Sequence, residues 1–311
     1  MSKIIRKIYR DWPAIEATLA PKSSYAARLK PGIVICNRPP DHKGKEIKSF
    51  WHPSFMDCGN NVKLIDVAIN DCLLNKCDII FLVTDYPCVN LFRNHCKDFT
   101  ARGSERAFFN YEDVIPINYV NSQYIKNNPV QMFVKGIEYV YHYLSKLSYY
   151  IKPMNFYVNS PYGIYDSEQI CLWKESHSDR RYLSTWWQHR DRSFLTGVPM
   201  PAIVGLVDFL RIQRHIYGMR KRKENPQDFA HLKIPEVVLG PQFRVMKNKK
   251  FFYDCSTFAG IAEAYKDPLA SAFLSGIKRP KYIKRDTILF GQQESLTLDE
   301  LEEIQDKKIQ F

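Results

Sequence analysis

A chain of 311 residues, 45% hydrophobic and 25% charged, has room for a substantial core, as one large α/β domain or one domain with an appendage. A formal net charge of +12 points to an anionic partner and does not choose among nucleotide phosphates, nucleic acid and an anionic membrane surface. No apolar run approaches the roughly 18 residues of a membrane-crossing helix, and the opening Met1-Ser2-Lys3-Ile4-Ile5-Arg6-Lys7 is too charged for a secretory signal, so a cytoplasmic protein is expected.

Residues 1–30 read as a lead-in broken at Pro13 and Pro21. Pro31-Gly32 then opens Ile33-Val34-Ile35-Cys36, a continuous apolar run with the length of a buried parallel strand. A long polar and basic stretch, residues 37–53, follows it, and loops at the carboxyl ends of parallel strands are where doubly wound sheets bind ligands. Asn60-Asn61 is placed to cap a helix with Val62, Ile65, Ala68, Ile69, Cys72 and Leu73 on one face. Cys77 to Asp85 reads as a second buried strand, which completes a right-handed βαβ unit.

Val114 to Val120 reads as a third strand, with Pro116 arguing for an edge or irregular position. The spacing of Phe133, Ile137, Val140 and Leu144 predicts a long amphipathic helix over 130–151. Met154 to Asn159 is a fourth strand running into a turn at Pro161 and Gly163. Residues 171–197 form a Trp-rich segment with Trp173, Trp186, Trp187, His189 and Arg190. It suits either a sugar-, base- or nucleic-acid-binding surface or an insertion anchored by its tryptophans.

Ala202 to Ile212 fits a strand leading into a helix or a helix throughout, and Pro235 to Gly240 is another strand candidate. Arg220-Lys221-Arg222-Lys223 reads as an exposed helix end, with nucleic-acid contact as the functional alternative. Phe251-Phe252-Tyr253 forms a short strand with Asp254 at its end, and Ser256 or Thr257 caps a helix carrying Phe258, Ile261, Ala262 and Tyr265 on one face. Residues 276–311 make a tail in which Thr297 and Glu300 form a capping box for a short acidic helix. That helix packs on the domain or contacts another subunit, so a homo-oligomer is compatible with the sequence. The eight cysteines contain no Cys-x-x-Cys pair and are expected to be reduced, buried thiols, with a metal site of Cys88, His95 and Cys96 as the alternative.

The stretch Phe252-Tyr253-Asp254-Cys255-Ser256-Thr257, followed by Glu263-Ala264, resembles the aromatic-Asp-(Cys/Val)-Gly-(Thr/Ser)…Glu-Ala signature of sugar-phosphate nucleotidylyltransferases, with Ser256 where that family has glycine. The resemblance extends over about 30–85, 154–166 and 240–268. It implies a Rossmann-like α/β fold, a mostly parallel mixed sheet flanked by helices, as one domain over 31–275. It also implies an enzyme that joins an NTP and a sugar phosphate with Mg²⁺, releasing pyrophosphate. Arg38 and Lys48 would be catalytic; Asn37, Arg38, Lys43, Lys45 and Asp85 would bind nucleotide and phosphates; Asp254 with Asp166 or Asn159 would hold the metal. The family's Gly-x-Gly-Thr-Arg loop pattern is absent from residues 37–53, and Asn159 stands where the family has its first metal-binding Asp. Two alternatives follow from those departures: a glycosyltransferase using a nucleotide-sugar donor, and an inactive member of the fold serving in nucleic-acid binding or assembly.

Overall fold

Two uninterrupted apolar runs form the middle of a sheet because both of their faces are covered. In the computed structural model they are β1 (Pro31–Cys36) and β2 (Ile79–Thr84), buried at every residue and paired in parallel from Pro31↔Ile79 to Cys36↔Thr84. The structure describes residues 30–38, 52–59, 62–75, 77–84, 88–96, 117–120, 128–147, 153–166, 184–189, 192–193, 201–222, 224, 244–247 and 250–277.

Helix α1 (Leu64–Leu74) lies between β1 and β2, and α2 (Val89–His95) follows β2. The chain continues through β3 (Ile117–Val120), α3 (Pro129–Leu147), β4 (Asn155–Asn159) and β5 (Gly163–Tyr165). Beyond these come β6 (Thr185–His189), β7 (Arg192–Ser193), β8 (Ala202–Gly205) and α4 (Leu206–Lys221). The last elements are β9 (Arg244–Lys247), β10 (Phe252–Asp254), α5 (Phe258–Lys266) and α6 (Pro268–Gly276).

The main sheet has the order β3-β2-β1-β4-β8-β6-β7, with β9 also paired to β6. Strands β1 to β4 are parallel; β8 runs antiparallel to β4, β6 is antiparallel to β8 and so resumes the direction of β1, β7 is antiparallel to β6, and β9 runs parallel to β6. Alternation along the strands divides the core. Ile33, Ile35, Phe81, Val83, Phe156 and Val158 pack beneath α3 and α4, while Val34, Cys36, Ile80, Leu82 and Tyr157 pack with α1 and α2. Fully burying each such aliphatic or aromatic side chain stabilises by roughly 1.5–3 kcal/mol. A second sheet, the antiparallel ribbon β5–β10, joins α5 and α6 in a third cluster with Cys58, Leu64 and Val67.

Several expectations meet their structure here. The mixed, mostly parallel sheet flanked by helices is present, and β3 is an edge strand. Phe133, Ile137, Val140 and Leu144 all face the core from α3, which ends at Leu147. The segment from Ala202 is a strand followed by a helix. The seven described cysteines are free and buried. Among the described residues no helix is long and apolar enough to cross a membrane.

Three local readings change. Helix α1 starts at Leu64, with the Asp66 carboxylate accepting the Lys63 N–H at 3.0 Å, so its start is fixed by Lys63 and Asp66. Val62 belongs to the turn before it, where its N–H reaches the Gly59 carbonyl and Gly59 has φ 113°. Trp186 and Trp187 lie in β6 of the main sheet. On α5 most of the expected apolar face is turned to solvent: Phe258 and Tyr265 are 77% and 63% exposed and Ala262 is exposed, Ile261 packs against the third cluster, and Gly260 and Ala264 are buried. The physical reason is clearance, since a Cβ at Gly260 would lie 1.8 Å from the Asp254 carbonyl oxygen. Only the small-residue face of α5 fits that close to the turn after β10. Lys43, Lys45, Lys48, Asp85, the strand candidate 235–240 and the acidic tail helix lie outside the described residues.

Candidate functional site

The strand order reverses at β1. From β1 the chain adds β2 and β3 on one side, then returns to place β4 on the other, with α1 and α3 on opposite faces. Such a switch point opens a crevice at the carboxyl ends of the two strands, here after Cys36 and Asn159. The registers Cys36↔Thr84 and Val34↔Asn159 bring the ends of β1, β2 and β4 to one edge.

At that edge the β1 extension is tied down from three directions. The Tyr162 hydroxyl donates to the Asn37 carbonyl at 2.5 Å and lies 3.1 Å from Ser54 Oγ. His52 caps the single turn Pro53–Phe55 by accepting the Ser54 N–H at Nδ1, 3.2 Å away, which leaves its ring proton on Nε2. Fully buried, edge-on to Phe92 with ring centroids 5.0 Å apart, His52 has its pKa lowered to about 3. Burial is the main cause and the nearby Arg38 guanidinium the second, with the Cys36 backbone hydrogen bond acting in the opposite sense. Arg38 itself rests with Nη2 against Cys88 Sγ at the start of α2. The edge therefore holds a permanent cation, Arg38, beside a neutral imidazole.

A second hub lies one layer below. Asp71 of α1 is buried, and its Oδ2 accepts from the Tyr157 hydroxyl at 2.5 Å, Asn159 Nδ2 at 2.8 Å and the Tyr165 hydroxyl at 2.8 Å. Burial and then the Asp71 charge push both tyrosine pKa values well up, so they remain donors. Asn159 also donates to the Ala68 carbonyl at 3.0 Å. Both contacts of its nitrogen are acceptors, which fixes the amide orientation and leaves the buried Oδ1 with no hydrogen-bond partner.

The carboxylates proposed for metal binding separate into two groups. Asp254 pairs opposite Gly163 in the ribbon, on the face shared by Phe252 and Tyr165. Its Oδ1 accepts the Ser256 N–H at 3.1 Å. Asp166 lies one residue beyond β5, three positions from Gly163. Its carboxylate is buried, and the ribbon's register ends before it. Asp166 is bound there by the Lys250 ammonium. Asp254 and Asn159 offer one charged and one neutral oxygen donor, and Asp166 is paired with Lys250. Among the described residues no three His, Cys, Asp or Glu side chains cluster to hold a metal by themselves, Cys88, His95 and Cys96 included. His95 Nε2 instead meets Asp66 at 2.9 Å.

Solved structures share this architecture. A Bacillus anthracis structure described as a glucose-1-phosphate thymidylyltransferase aligns with a TM-score of 0.56 at 9% identity, over 81% of this chain and 98% of its own. A UDP-glucose pyrophosphorylase complexed with UDP-glucose aligns with a TM-score of 0.50 at 12% identity, over 79% and 99%. The chain has the Rossmann-like α/β fold of these structures. No family model matches the sequence, and no curated protein does.

Within this fold, Asn37, Arg38 and Asn159 belong to the edge and Asp254 to the adjoining ribbon. Asp71, Tyr162 and the Arg38–Cys88 contact were not expected from the sequence. Asp71 gave one usable signal: a carboxylate directly beside the apolar positions Ala68 and Cys72, on the hydrophobic side of its helix. Its tyrosine partners stand 86 and 94 positions away, beyond any local pattern.

Proposed function

We propose that the chain is a divergent nucleotidyltransferase that joins an NTP and a sugar phosphate to give a nucleotide-sugar and pyrophosphate. The observation that carries this reading is the Arg38 guanidinium held at the carboxyl end of β1, next to the β1/β4 switch point of a nucleotidyltransferase fold. In this reading a sugar-phosphate oxygen attacks the α-phosphorus of the NTP and pyrophosphate leaves. Two anions must be brought together, so alignment and charge compensation are the main tasks. Arg38 and Lys48 hold the phosphates; Asn37, Lys43, Lys45 and Asp85 complete the nucleotide contacts. The neutral His52 supports the loop return without adding charge.

Mg²⁺ fits the donor set in a limited way. Asp254 and the Asn159 Oδ1 supply hard oxygen ligands, and a hexacoordinate cation would draw the rest from phosphates and water. Bound there, it would neutralise phosphate charge. Asp166 would serve only after losing Lys250. The expected outcome for Asp254→Asn is loss of Mg²⁺-dependent nucleotide binding with little loss of fold; unchanged affinity by calorimetry sinks the assignment.

The reaction is tested by pyrophosphate release from each NTP with a panel of sugar 1-phosphates. The missing glycine pattern in residues 37–53 favours a second reading, glycosyl transfer from a preformed nucleotide-sugar, because a diphosphate needs less backbone cradling than a triphosphate. Nucleotide-sugar turnover without pyrophosphate release from any NTP would select it.

A further inference from the structure

Helix α4 carries on its outer face a row of basic residues that the candidate site does not use. Its inner face, Phe209, Ile212, Ile216 and Met219, is buried against the sheet on the side away from α1 and α2. Gln213 of the same helix reaches across to α3, donating to Glu138 at 2.6 Å. The outer face repeats basic residues at helical spacing. Arg211, Arg214, Lys221 and Arg222 are exposed, and Gly218, between Arg214 and Lys221, leaves space over which the Arg222 guanidinium lies. Arg220 sits 5.7 Å from the centre of the Tyr217 ring. Residues 206–224 contain six Lys or Arg against two carboxylates, Asp208 and Glu224, which pair with Arg211 and Arg222.

We propose that this ridge binds the phosphate backbone of nucleic acid, independently of the nucleotide site. Arg211 and Arg214, three residues apart, are like-charged neighbours on the helix, and an external polyanion offsets their repulsion. The cations from Arg211 to Arg222 span about 16 Å of helix. A mononucleotide or sugar phosphate touches only one end of that row, whereas duplex DNA presents a charge about every 1.7 Å along its axis. A membrane surface is the poorer match, because an interfacial helix must submerge an apolar face and that of α4 is committed to the core.

The test is fluorescence anisotropy with a fluorescein-labelled 20-base-pair duplex. Binding at 50 mM NaCl should weaken roughly 50- to 150-fold at 200 mM, as expected for three or four neutralised phosphates. Arg214→Glu/Lys221→Glu should weaken binding at least tenfold and lower the log–log salt slope by about 2. An unchanged thermal midpoint confirms that this variant is folded; Arg214→Gln/Lys221→Gln replaces it otherwise, with a smaller loss expected. Absence of salt-sensitive binding, or equal binding by the variants, overturns the proposal. So does displacement of the duplex by MgATP, which would move it to the nucleotide site, or tighter association with vesicles containing 30% phosphatidylserine. None of these readouts depends on pyrophosphate release.

Discussion

Two buried polar residues set the chemistry of the candidate site at the level of single side chains. His52 has a folded pKa of about 3 against an ordinary 6.5, so the unfolded chain binds the extra proton between those values. Its stabilising contribution is complete above about pH 6.5 and is lost as pH falls toward 3, at about 1.4 kcal/mol per unit. His52→Asn keeps an acceptor for the Ser54 N–H and removes the titration. Urea unfolding at pH 7 and pH 5 should show the wild type losing roughly 2 kcal/mol more than the variant over that interval. Equal losses would remove His52 as the cause. Asp71 is the other case. Asp71→Ala strands the donors of Tyr157, Tyr165 and Asn159 in the core and should cost roughly 3 kcal/mol or more. A loss below 1 kcal/mol at pH 7 would mean the three donors find other partners, and the hub would lose its importance.

Among the elements, those buried on both faces were legible and those defined by close approach were not. The runs 33–36 and 79–84 announced β1 and β2 because a strand with no solvent face shows no alternation. In the ribbon β5–β10 the strand ending at Asp254 was read from its aromatics, but its three-residue partner, centred 89 positions earlier, is too distant for periodicity to report the pairing. Helix α5 misleads for a related reason: its large apolar residues define a convincing face, yet the contact is made by Gly260. Gly260→Ala sets a Cβ against the Asp254 backbone, where no side chain can turn aside, and α5 must shift. The expected cost is about 2 kcal/mol or more, with weakened nucleotide binding through the displaced Asp254. Gly276→Ala is the control, since its Cβ meets nothing within 4 Å, and it should raise stability by roughly 0.5 kcal/mol. Similar unfolding midpoints for the two variants would contradict the close-approach account.

Across the whole molecule, the strand-to-helix carboxylate Asp254, the β1 extension and the fourth-strand asparagine were visible in the sequence because each is fixed by a strand end. Their grouping was not. The sequence left Asp166 and Asn159 as equal partners for Asp254; in the structure Asp166 is paired with Lys250, and that is the ground on which we propose Asn159. A site with one carboxylate and one amide has less charge to hold a cation than a two-carboxylate site, so cation and nucleotide should depend on each other. The thermal midpoint reads that dependence directly. A nucleotide at one hundred times its Kd stabilises by about 2.7 kcal/mol, which for a chain of this length is roughly 4 °C. MgCl₂ alone should leave the midpoint nearly unchanged, an NTP alone should raise it slightly, and the two together should reach that shift. In Asp254→Asn the combined shift should fall to that of the NTP alone, whereas Asp166→Asn should retain most of it. Equal losses in both variants would return Asp166 to the cation site and defeat the pairing of Asp254 with Asn159.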